Sequence, residues 1–393
     1  MVTYRAAWIL PIVRPPVAGG TVTIDGDTIV SIGEMAGGPV DDLGNVAILP
    51  ALVNAHTHLE LSWMRGRVPP SASMPAWASS LIALRRSVSP EPVEPIADAI
   101  GEARRSGTCL LGDVTNTLAT YGPLRESGLR AVLFHELIGF GAPDPEALVR
   151  SAHERVAALT PAERLRLALA PHAPYSVSPA LMQAIARSGS GRPFSIHLGE
   201  SAQEVQFLRE GTGEWRVLLE RVGAWNPDWT PPGCGPVGYL DRLGLVNERL
   251  LAVHGVQLTD AELARLAEAG ATLVTCPRSN RWTGAGEPPI DRFYASGVRV
   301  AIGTDSLASV DDLNLFTEMA EVRRLAPGIP ASRILESATL AGARALGFAA
   351  DVGSIEPRKR AALLAVQLPA GCRDVEQYLV GGVAAHDIHW LSR

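Results

Sequence analysis

Residues 48–62 read ILPALVNAHTHLELS, an apolar run that ends in two histidines separated by one threonine. An apolar run of this kind predicts a buried strand, and Asn54 marks the approach to its mouth. Because side chains alternate between the two faces of a strand, His56 and His58 should point the same way. Two imidazoles on one face suit a single borderline-soft divalent cation. The stretch therefore predicts a metal site at the end of a buried strand.

Composition restricts the class of protein. The chain has 393 residues, of which 47% are hydrophobic and 19% charged, as in a soluble globular protein with a large core. A net charge of -6 argues weakly against nucleic acid as a partner. From the prolines near the N-terminus and the lack of a long apolar run, we expect neither a signal peptide nor a membrane span. The four cysteines form no CxxC pair, which favours reduced thiols. We expect a cytoplasmic protein that acts on a small molecule. If it assembles, we expect a homodimer.

Apolar strands alternate with helices from residue 47 onward. After the HTH strand, further strands are predicted at 108–113, 130–136, 165–170, 194–197, 250–256, 271–275 and 298–302. Helices are predicted at 93–106, 145–159, 179–187, 202–210, 260–269 and 314–325. Eight such units predict an α/β fold with a (β/α)8 TIM barrel over residues 48–346. A doubly wound sheet is less favoured, because it would place a glycine-rich turn after its first strand.

The two ends of the chain look different from the middle. Strands 21–24 and 28–32 flank Asp25-Gly26-Asp27, which predicts a hairpin. Short strands return after residue 346, at 361–367 and 378–383. We therefore predict a small β-sandwich domain built from residues 1–47 and 347–393. The Trp-, Pro- and Gly-rich segment 222–238 is interpreted as a rigid surface loop in preference to a substrate lid.

Polar residues recur where the barrel strands should end, which is the face that carries the active site in such barrels. A single histidine there would more often be an ordinary core or surface residue. Here five of the nine histidines and two carboxylates fall at strand ends: His56, His58, His172, His197, Glu200, His254 and Asp305. Together they predict one convergent site.

The chemistry of this set suits a hydrolytic metal. His56, His58 and His197 supply nitrogens and Asp305 an oxygen, which leaves a position for water whose pKa the cation lowers toward neutrality. Asp305 can also accept the proton of that water, and His254 can orient it. Glu200 lies three residues beyond a ligand, so it can transfer a proton without ligating.

The number of metals follows from the lysines. Lys359 is the single lysine of the chain and lies in the tail, outside the predicted barrel. Barrel hydrolases with two bridged metals commonly use a carboxylated lysine, so we predict a single metal.

Taken together, the motifs resemble the amidohydrolase superfamily, and within it the cytosine/adenosine-type (ATZ/TRZ-like) deaminases. The resemblance runs through NAHTHLE, APHAPYSVS, IHLGES, PVGYLDRLGL, VHGV, TCPRSN, IGTDS and GSIEP. It implies one zinc, or iron as in some members, held by the three histidines and the aspartate named above. It also implies that Glu200 protonates a ring nitrogen, that His172 contacts substrate and that His254 positions water. The implied reaction is hydrolysis at an amidine carbon with loss of ammonia.

The subgroup decides the substrate. APHAPYS and PVGYLDRLGL are similar to deaminases of S-adenosylhomocysteine and methylthioadenosine, which carry a ribose-gripping glutamate near the place that Arg86 occupies here. HTHLELS, PVGYLDRLGL and TCPRSN look closer to the aminodeoxyfutalosine deaminases of the alternative menaquinone route. Their substrate carries a benzoate, which would suit an arginine such as Arg86, Arg278 or Arg281.

The expected function is therefore the conversion of 6-amino-6-deoxyfutalosine to futalosine and ammonia. The alternatives are deamination of S-adenosylhomocysteine or methylthioadenosine, hydrolysis of a triazine, guanine-like base or cyclic amide, and a catalytically inactive metal-binding protein. Three further residues are assigned to the substrate pocket: Glu60, which follows His58 on the same predicted strand face, together with Asn280 and Ser306, which could equally contact the residues that hold the metal.

Overall fold

A computed structural model describes residues 1–33, 39–189 and 191–391 of the chain. Its centre is α/β, with two parallel four-stranded sheets. The first sheet has the order Leu165–Pro171, Arg130–Leu137, Thr108–Thr115 and Leu52–Thr57. The second has the order Phe194–Leu198, Leu250–His254, Thr272–Thr275 and Arg299–Ile302. All eight predicted strand positions are therefore confirmed as strands.

The two parallel sheets meet at both of their edges. At one edge the backbone N–H groups of Thr304 and Asp305 both donate to the carbonyl of His56, at 3.1 Å. At the other, His197 N–H donates to the carbonyl of His172 at 2.9 Å. Gly303 permits the first approach, because a Cβ at this position would lie 2.8 Å from Cβ of His56. The carboxyl ends of the strands therefore open on one common region.

Helices follow the strands and cover the sheets. Their bounds are Met74–Ser87, Glu94–Arg105, Tyr121–Ser127, Pro145–Ala157, Pro179–Ser188, Ala202–Glu210, Glu214–Val222, Pro236–Arg242, Asp260–Glu268, Pro277–Thr283, Ile290–Ala295, Leu315–Leu325, Ala331–Ser337, Leu340–Ala345 and Val375–Val380. Side-chain caps explain several starts: the hydroxyls of Ser178, Ser201 and Thr259 each accept an N–H three residues on. All six predicted helices are confirmed. In the described ranges, no helix combines the length and apolar character needed to cross a bilayer.

The two ends of the chain share a second pair of sheets. One has the order Thr28–Ile32, Thr21–Asp25, Val2–Arg5 and Val40–Asp42, which confirms the predicted hairpin. The other has the order Ile388–Trp390, Leu363–Gln367, Val46–Pro50, Trp8–Ile9 and Val17–Ala18, so it joins strands from both ends. A buried apolar cluster that includes Ile24, Ile48 and Leu363 contains residues of both sheets. Residues 34–38 and 392–393, which belong to the predicted terminal domain, lie outside the described residues.

The stretch 48–62 is not one strand. Val46–Pro50 pairs antiparallel with Leu363–Gln367 in the terminal sheet, and Leu52–Thr57 begins the parallel sheet. A 3-10 helix, Leu59–Met64, follows immediately. The first three residues of the predicted barrel, 48–50, therefore pair in the terminal sheet.

The predicted strand 378–383 is wrong. The chain forms a helix, Val375–Val380, because the carboxylate of Asp374 accepts the backbone N–H of Gln377 at 3.0 Å and starts it. Leu379 and Val380 are buried in the main apolar core, as one face of a helix requires. Gly381 and Gly382, which lie inside the predicted strand, come after the helix ends.

The Trp-rich segment 222–238 packs against the molecule. The ring of Trp225 stacks on Phe140 with centroids 5.7 Å apart, and Trp229 stacks on Phe207 at 4.7 Å. These contacts fix the segment beneath the loop that follows strand Arg130–Leu137. They favour the rigid-loop interpretation over the lid.

Candidate active site

Four predicted residues converge where the two sheets meet. Nε2 of His58 lies 3.3 Å from Nε2 of His197 and 3.7 Å from Oδ1 of Asp305. Nε2 of His56 lies 3.9 Å from the same carboxylate oxygen. One ligand atom from each of His56, His58 and Asp305 lies within 4.8 Å of the others. The same holds for His56, His197 and His254. Residues separated by up to about 250 positions in sequence thus surround a single point.

Backbone geometry aims two of these side chains. His254 and Asp305 have φ of 78° and 63°, a left-handed conformation that non-glycine residues rarely adopt. Asp305 is also fixed by its neighbours: the hydroxyl of Ser279 donates to Oδ2 at 2.5 Å and the N–H of Ser306 donates to Oδ1 at 2.7 Å. Such strain at the end of a strand is typical of a functional site, where the surrounding structure overrides local preference.

Hydrogen bonds orient two of the imidazoles. Nδ1 of His197 lies 2.8 Å from the carbonyl of His172, so this nitrogen donates and Nε2 is left to face the centre of the cluster. Nδ1 of His254 lies 2.9 Å from the amide nitrogen of Asn280, and its Nε2 lies 3.5 Å from Oε1 of Glu200. Both rings therefore present Nε2 to the same region.

The donor set fits a divalent cation. Among the described residues, both ring nitrogens of His56, Nε2 of His254 and Oε2 of Glu200 are buried without a hydrogen-bond partner. Buried polar atoms are nearly always satisfied, so the unpartnered atoms of this set fit the coordination of a cation. Burial, followed by the neighbouring histidines, lowers the pKa of His56 and of His254, which keeps the rings neutral as metal ligation requires. Nitrogen and carboxylate donors in this number suit zinc.

Glu200 is held as a buried acid. Desolvation, followed by the charge of Asp305, raises its pKa well above the ordinary value. Its loop is fixed because the N–H groups of Gly199 and Glu200 donate to the two carboxylate oxygens of Glu204, at 2.9 and 3.0 Å. A carboxyl group that keeps its proton beside this set of candidate metal ligands can deliver that proton to a substrate atom.

A cavity of about 800 Å3 opens from the cluster. His172 and Ser306, both predicted as substrate contacts, line it. Nδ1 of His172 lies 2.5 Å from the hydroxyl of Ser176, and burial lowers the pKa of His172 to about 4. A neutral, oriented imidazole therefore faces the space that a substrate would fill.

Two predicted substrate residues, Glu60 and Arg86, do not line the main cavity. Glu60 lies in the 3-10 helix, and it accepts N–H and O–H groups from residues 115–117 at 2.6 to 3.2 Å. It makes a loop contact and does not line the main cavity. Arg86 is exposed and borders a separate, shallower cavity, whereas the preceding Arg85 lines the main one.

The other predicted contacts are engaged elsewhere. Arg278 pairs with Glu318 at 2.7 Å and with Asp312 at 3.0 Å, and it does not line the main cavity. Arg281 pairs with Glu321 at 2.6 Å. Asn280 does not line the cavity, but its side chain contacts the ring of His254, which does.

Sequence reasoning missed Glu136, Asn116 and Arg85, which all line the cavity. Nδ2 of Asn116 donates to Oε2 of Glu136 at 2.9 Å, and Oε1 of Glu136 lies 3.6 Å from Nδ1 of His197. Glu136 ends a predicted strand, as the recognised site residues do, so position alone could have found it. Arg85 lies four residues after Leu81 and hence on the cavity face of its helix, which helical spacing could have indicated.

The lone lysine is engaged away from this cluster. Nζ of Lys359 lies 2.8 Å from the carboxylate of Glu356 and donates to the hydroxyl of Ser354 at 2.6 Å. It does not line the cavity.

Comparison with known proteins assigns the family. The model of the amidohydrolase family matches residues 47–384. The chain belongs to the amidohydrolase family. This amidohydrolase is 32% identical over 407 residues to a 5-methylthioadenosine/S-adenosylhomocysteine deaminase of Moorella thermoacetica, covering 97% of this chain and 90% of that one. It is 30% identical over 350 residues to an aminodeoxyfutalosine deaminase of Deinococcus radiodurans, covering 84% of this chain and 81% of that one.

A solved structure gives the same grouping. The adenosine deaminase from Xanthomonas campestris with bound zinc superposes with a TM-score of 0.82 at 30% identity, covering 98% of this chain and 90% of that one. The resemblance to the cytosine/adenosine-type deaminases, predicted from the motifs, is confirmed. The named relatives are deaminases, which supports a hydrolytic aminohydrolase over an inactive metal-binding protein.

Proposed function

We propose that this protein hydrolytically removes the 6-amino group of an adenine nucleoside. One observation carries the proposal: unpartnered, buried imidazoles and Asp305 surround a single point that lies beside Glu200, a buried carboxyl group with a raised pKa. The named relatives act on 5-methylthioadenosine, S-adenosylhomocysteine, aminodeoxyfutalosine or adenosine, which supports the same class of substrate here.

Each residue has a role in this reaction. His56, His58, His197 and Asp305 would hold one divalent cation, zinc or iron, which lowers the pKa of water toward neutrality. Glu200 donates its proton to a ring nitrogen of the purine, so that C6 becomes more electrophilic. Asp305 accepts a proton from the attacking water, and His254 orients that water through Nε2. The water oxygen bonds to C6, Asp305 passes the proton that it accepted to the amino group, and the C6–N bond breaks so that ammonia leaves. The proton that remains on the new C6 hydroxyl returns to Glu200 as the 6-oxo purine forms.

The fold proposed with this function is a single eight-stranded barrel. The backbone hydrogen bonds at both edges of the two parallel sheets support closure, and family members with this architecture place their sites at the carboxyl ends of the strands. The terminal sheets with a shared apolar cluster support a β-sandwich domain beside it. The proposed division is residues 1–47 and 347–393 for the small domain and 48–346 for the barrel, with the three residues 48–50 shared at the junction.

The finer choice of substrate lies between two nucleosides. The sequence favours 6-amino-6-deoxyfutalosine, but Arg278 and Arg281 are paired with carboxylates and Arg86 lies outside the cavity. That candidate therefore lacks the free cation its benzoate was expected to meet. A 5′-thio-substituted adenosine, as named for the Moorella relative, is the alternative. Triazines, guanine-like bases and cyclic amides remain rivals of a different substrate class.

The test is an ammonia-release assay with zinc-loaded protein. The substrates are adenosine, methylthioadenosine, S-adenosylhomocysteine and 6-amino-6-deoxyfutalosine, with a triazine and a cyclic amide as rivals. The proposal expects ammonia and loss of adenine absorbance for at least one nucleoside, and no activity after chelation until metal is restored. Turnover of a rival substrate with all nucleosides inert would overturn it.

A further inference from the structure

The cavity is polar beside the cluster of histidines and Asp305, and mostly apolar elsewhere. Imidazoles and carboxyl groups line it near the cluster. Apolar side chains from three segments form most of the remaining wall. Helix Met74–Ser87 contributes Trp77 and Leu81, the segment that follows strand Arg130–Leu137 contributes Ile138 and Leu148, and helix Glu214–Val222 contributes Leu218 and Leu219. A purine ring held at the cluster would leave this apolar part for the remainder of the substrate.

The apolar wall is a fixed surface. Arg221 donates to the hydroxyl of Ser79 at 2.6 Å, and the hydroxyl of Ser73 donates to Glu214 at 3.0 Å, so the two helices are tied together. Trp215 and Tyr175 also line the cavity, and their rings stack with centroids 3.7 Å apart. A wall held in this way is pre-formed for its ligand, as binding cavities usually are.

Charge in the cavity opposes an anionic ligand. Among the described residues, Arg85 is the one lining side chain with a permanent positive charge. Its guanidinium is already bound by Glu91 at 2.7 Å and by Asn116 at 3.2 Å. The lining carboxyl groups include Glu136 and Asp144. A carboxylate on the ligand would thus be desolvated against apolar side chains, and the one lining cation among the described residues is already paired.

The mouth of the cavity leaves apolar surface uncovered. Ile138 is 54% exposed and Leu148 is 37% exposed, although both line the cavity. The cavity, at about 800 Å3, is also near the upper end of the range of about 300–1,000 Å3 that holds drug-sized ligands. An extended apolar group would cover this surface and use this volume.

We propose that the substrate carries a large, uncharged apolar substituent on the sugar side of its adenine nucleoside, which lies between helix Met74–Ser87, residues 138–148 and helix Glu214–Val222. This proposal rests on the proposed deaminase function and narrows it. It replaces the benzoate-bearing nucleoside predicted from the sequence by a neutral, hydrophobic one.

The experiment uses zinc-loaded full-length protein and a series of 5′-alkylthio-adenosines. The substituents are methyl, butyl, hexyl and benzyl, with 4-carboxybenzyl as the charged match of benzyl. We expect kcat/KM to rise by up to about fourfold per methylene buried. We expect carboxybenzyl to fall at least about tenfold below benzyl. A flat series, or a preference for carboxybenzyl, would overturn the proposal.

A pair of variants tests the location of the group. Ile138→Arg adds a cation at the mouth and should raise the ratio of carboxybenzyl to benzyl kcat/KM by about two- to fivefold. Val217→Arg is the matched control, because Val217 is 61% exposed on helix Glu214–Val222 but does not line the cavity, and it should leave the ratio unchanged. Equal ratios in the two variants would refute this placement.

Binding separates the two proposals. If no nucleoside releases ammonia, adenosine included, the deaminase function fails. Calorimetric dissociation constants for the same compounds then still rank the substituents: tighter binding from methyl to hexyl, with carboxybenzyl weaker than benzyl, supports the apolar site. Binding without that ranking overturns it.

Discussion

Nε2 of His254 and Oε1 of Glu200 lie 3.5 Å apart, and both side chains are buried at the ends of neighbouring strands. His254 has a left-handed backbone, with φ of 78°, at the end of its strand. The proposed water-orienting group and the proposed proton donor are therefore direct neighbours. The arrangement predicts that their loss affects turnover more than metal binding.

Replacing Glu200 should separate chemistry from metal binding. We expect Glu200→Gln to reduce kcat by about 10²- to 10⁴-fold, because the amide cannot deliver a proton to the ring nitrogen. Metal content, measured by atomic emission, should stay at the wild-type level. Glu210→Gln, at an exposed carboxylate of the following helix, should retain full activity. Loss of metal in Glu200→Gln would show that this carboxylate is a ligand.

Asn280 should act through His254. Removing the side chain in Asn280→Ala should lower activity by about 10- to 100-fold with metal retained, since the ring loses its partner at Nδ1. Asn280→Asp keeps a hydrogen-bonding group there and adds a negative charge, which raises the pKa of His254. The acidic limb of the pH–rate profile should then move to higher pH. A profile that is unchanged in Asn280→Asp would contradict this role.

Close packing at Gly303 should be essential to the site. A methyl group would lie 2.8 Å from Cβ and from the backbone oxygen of His56, so Gly303→Ala should force the two strands apart. We expect a loss of about 1–3 kcal/mol in unfolding free energy and reduced metal occupancy. Gly328→Ala, where a Cβ meets nothing within 4 Å, is the control and should change neither property. Equal effects of the two substitutions in urea unfolding would refute the argument.

The buried carboxyl of Asp113 should make stability depend on pH. Burial raises its pKa from 3.8 to about 7, so between these values the unfolded chain ionises while the native protein stays protonated. The contribution of this carboxyl group to the unfolding free energy is therefore complete below about pH 4, and it is lost as pH rises through 7. Asp113→Asn keeps an acceptor for the N–H of Leu59, bound at 2.9 Å, but cannot titrate.

The measurement is urea unfolding of chelated wild-type and variant protein at pH 4 and pH 7. The wild type should lose about 2 to 4 kcal/mol more than Asp113→Asn between these two values. A parallel pH dependence of the two proteins would mean that this carboxyl already ionises in the native state.

The sequence predicted the strand ends well and the side-chain partners poorly. His56, His197, His254 and Asp305 each follow an apolar run, and the end of a buried strand is visible in the pattern of hydrophobicity. What a polar side chain contacts depends on loops and helices from elsewhere in the chain. Arg278 looked available, yet Glu318 from a helix forty residues later pairs with it.

The same limit explains the substrate prediction and the tail. Arg86 and Arg85 differ by one position in sequence but by about 100° around a helix, so one is exposed and the other faces the cavity. The predicted strand 378–383 overlaps the end of helix Val375–Val380, because six residues carry too little periodicity to distinguish a strand from a helix. Its cap at Asp374 and its burial against the core decide the outcome.

The pairing of Val46–Pro50 with Leu363–Gln367 has a practical consequence for anyone dividing this molecule. Only Ala51 separates that strand from Leu52–Thr57, which carries His56. A shortened version that begins at residue 51 or stops before residue 363 would lose this strand pairing. The pairing holds the chain directly before the strand that leads to His56 and His58. Expression strategies that trim either terminus for crystallisation should therefore be screened for their capacity to bind a divalent metal before anything else.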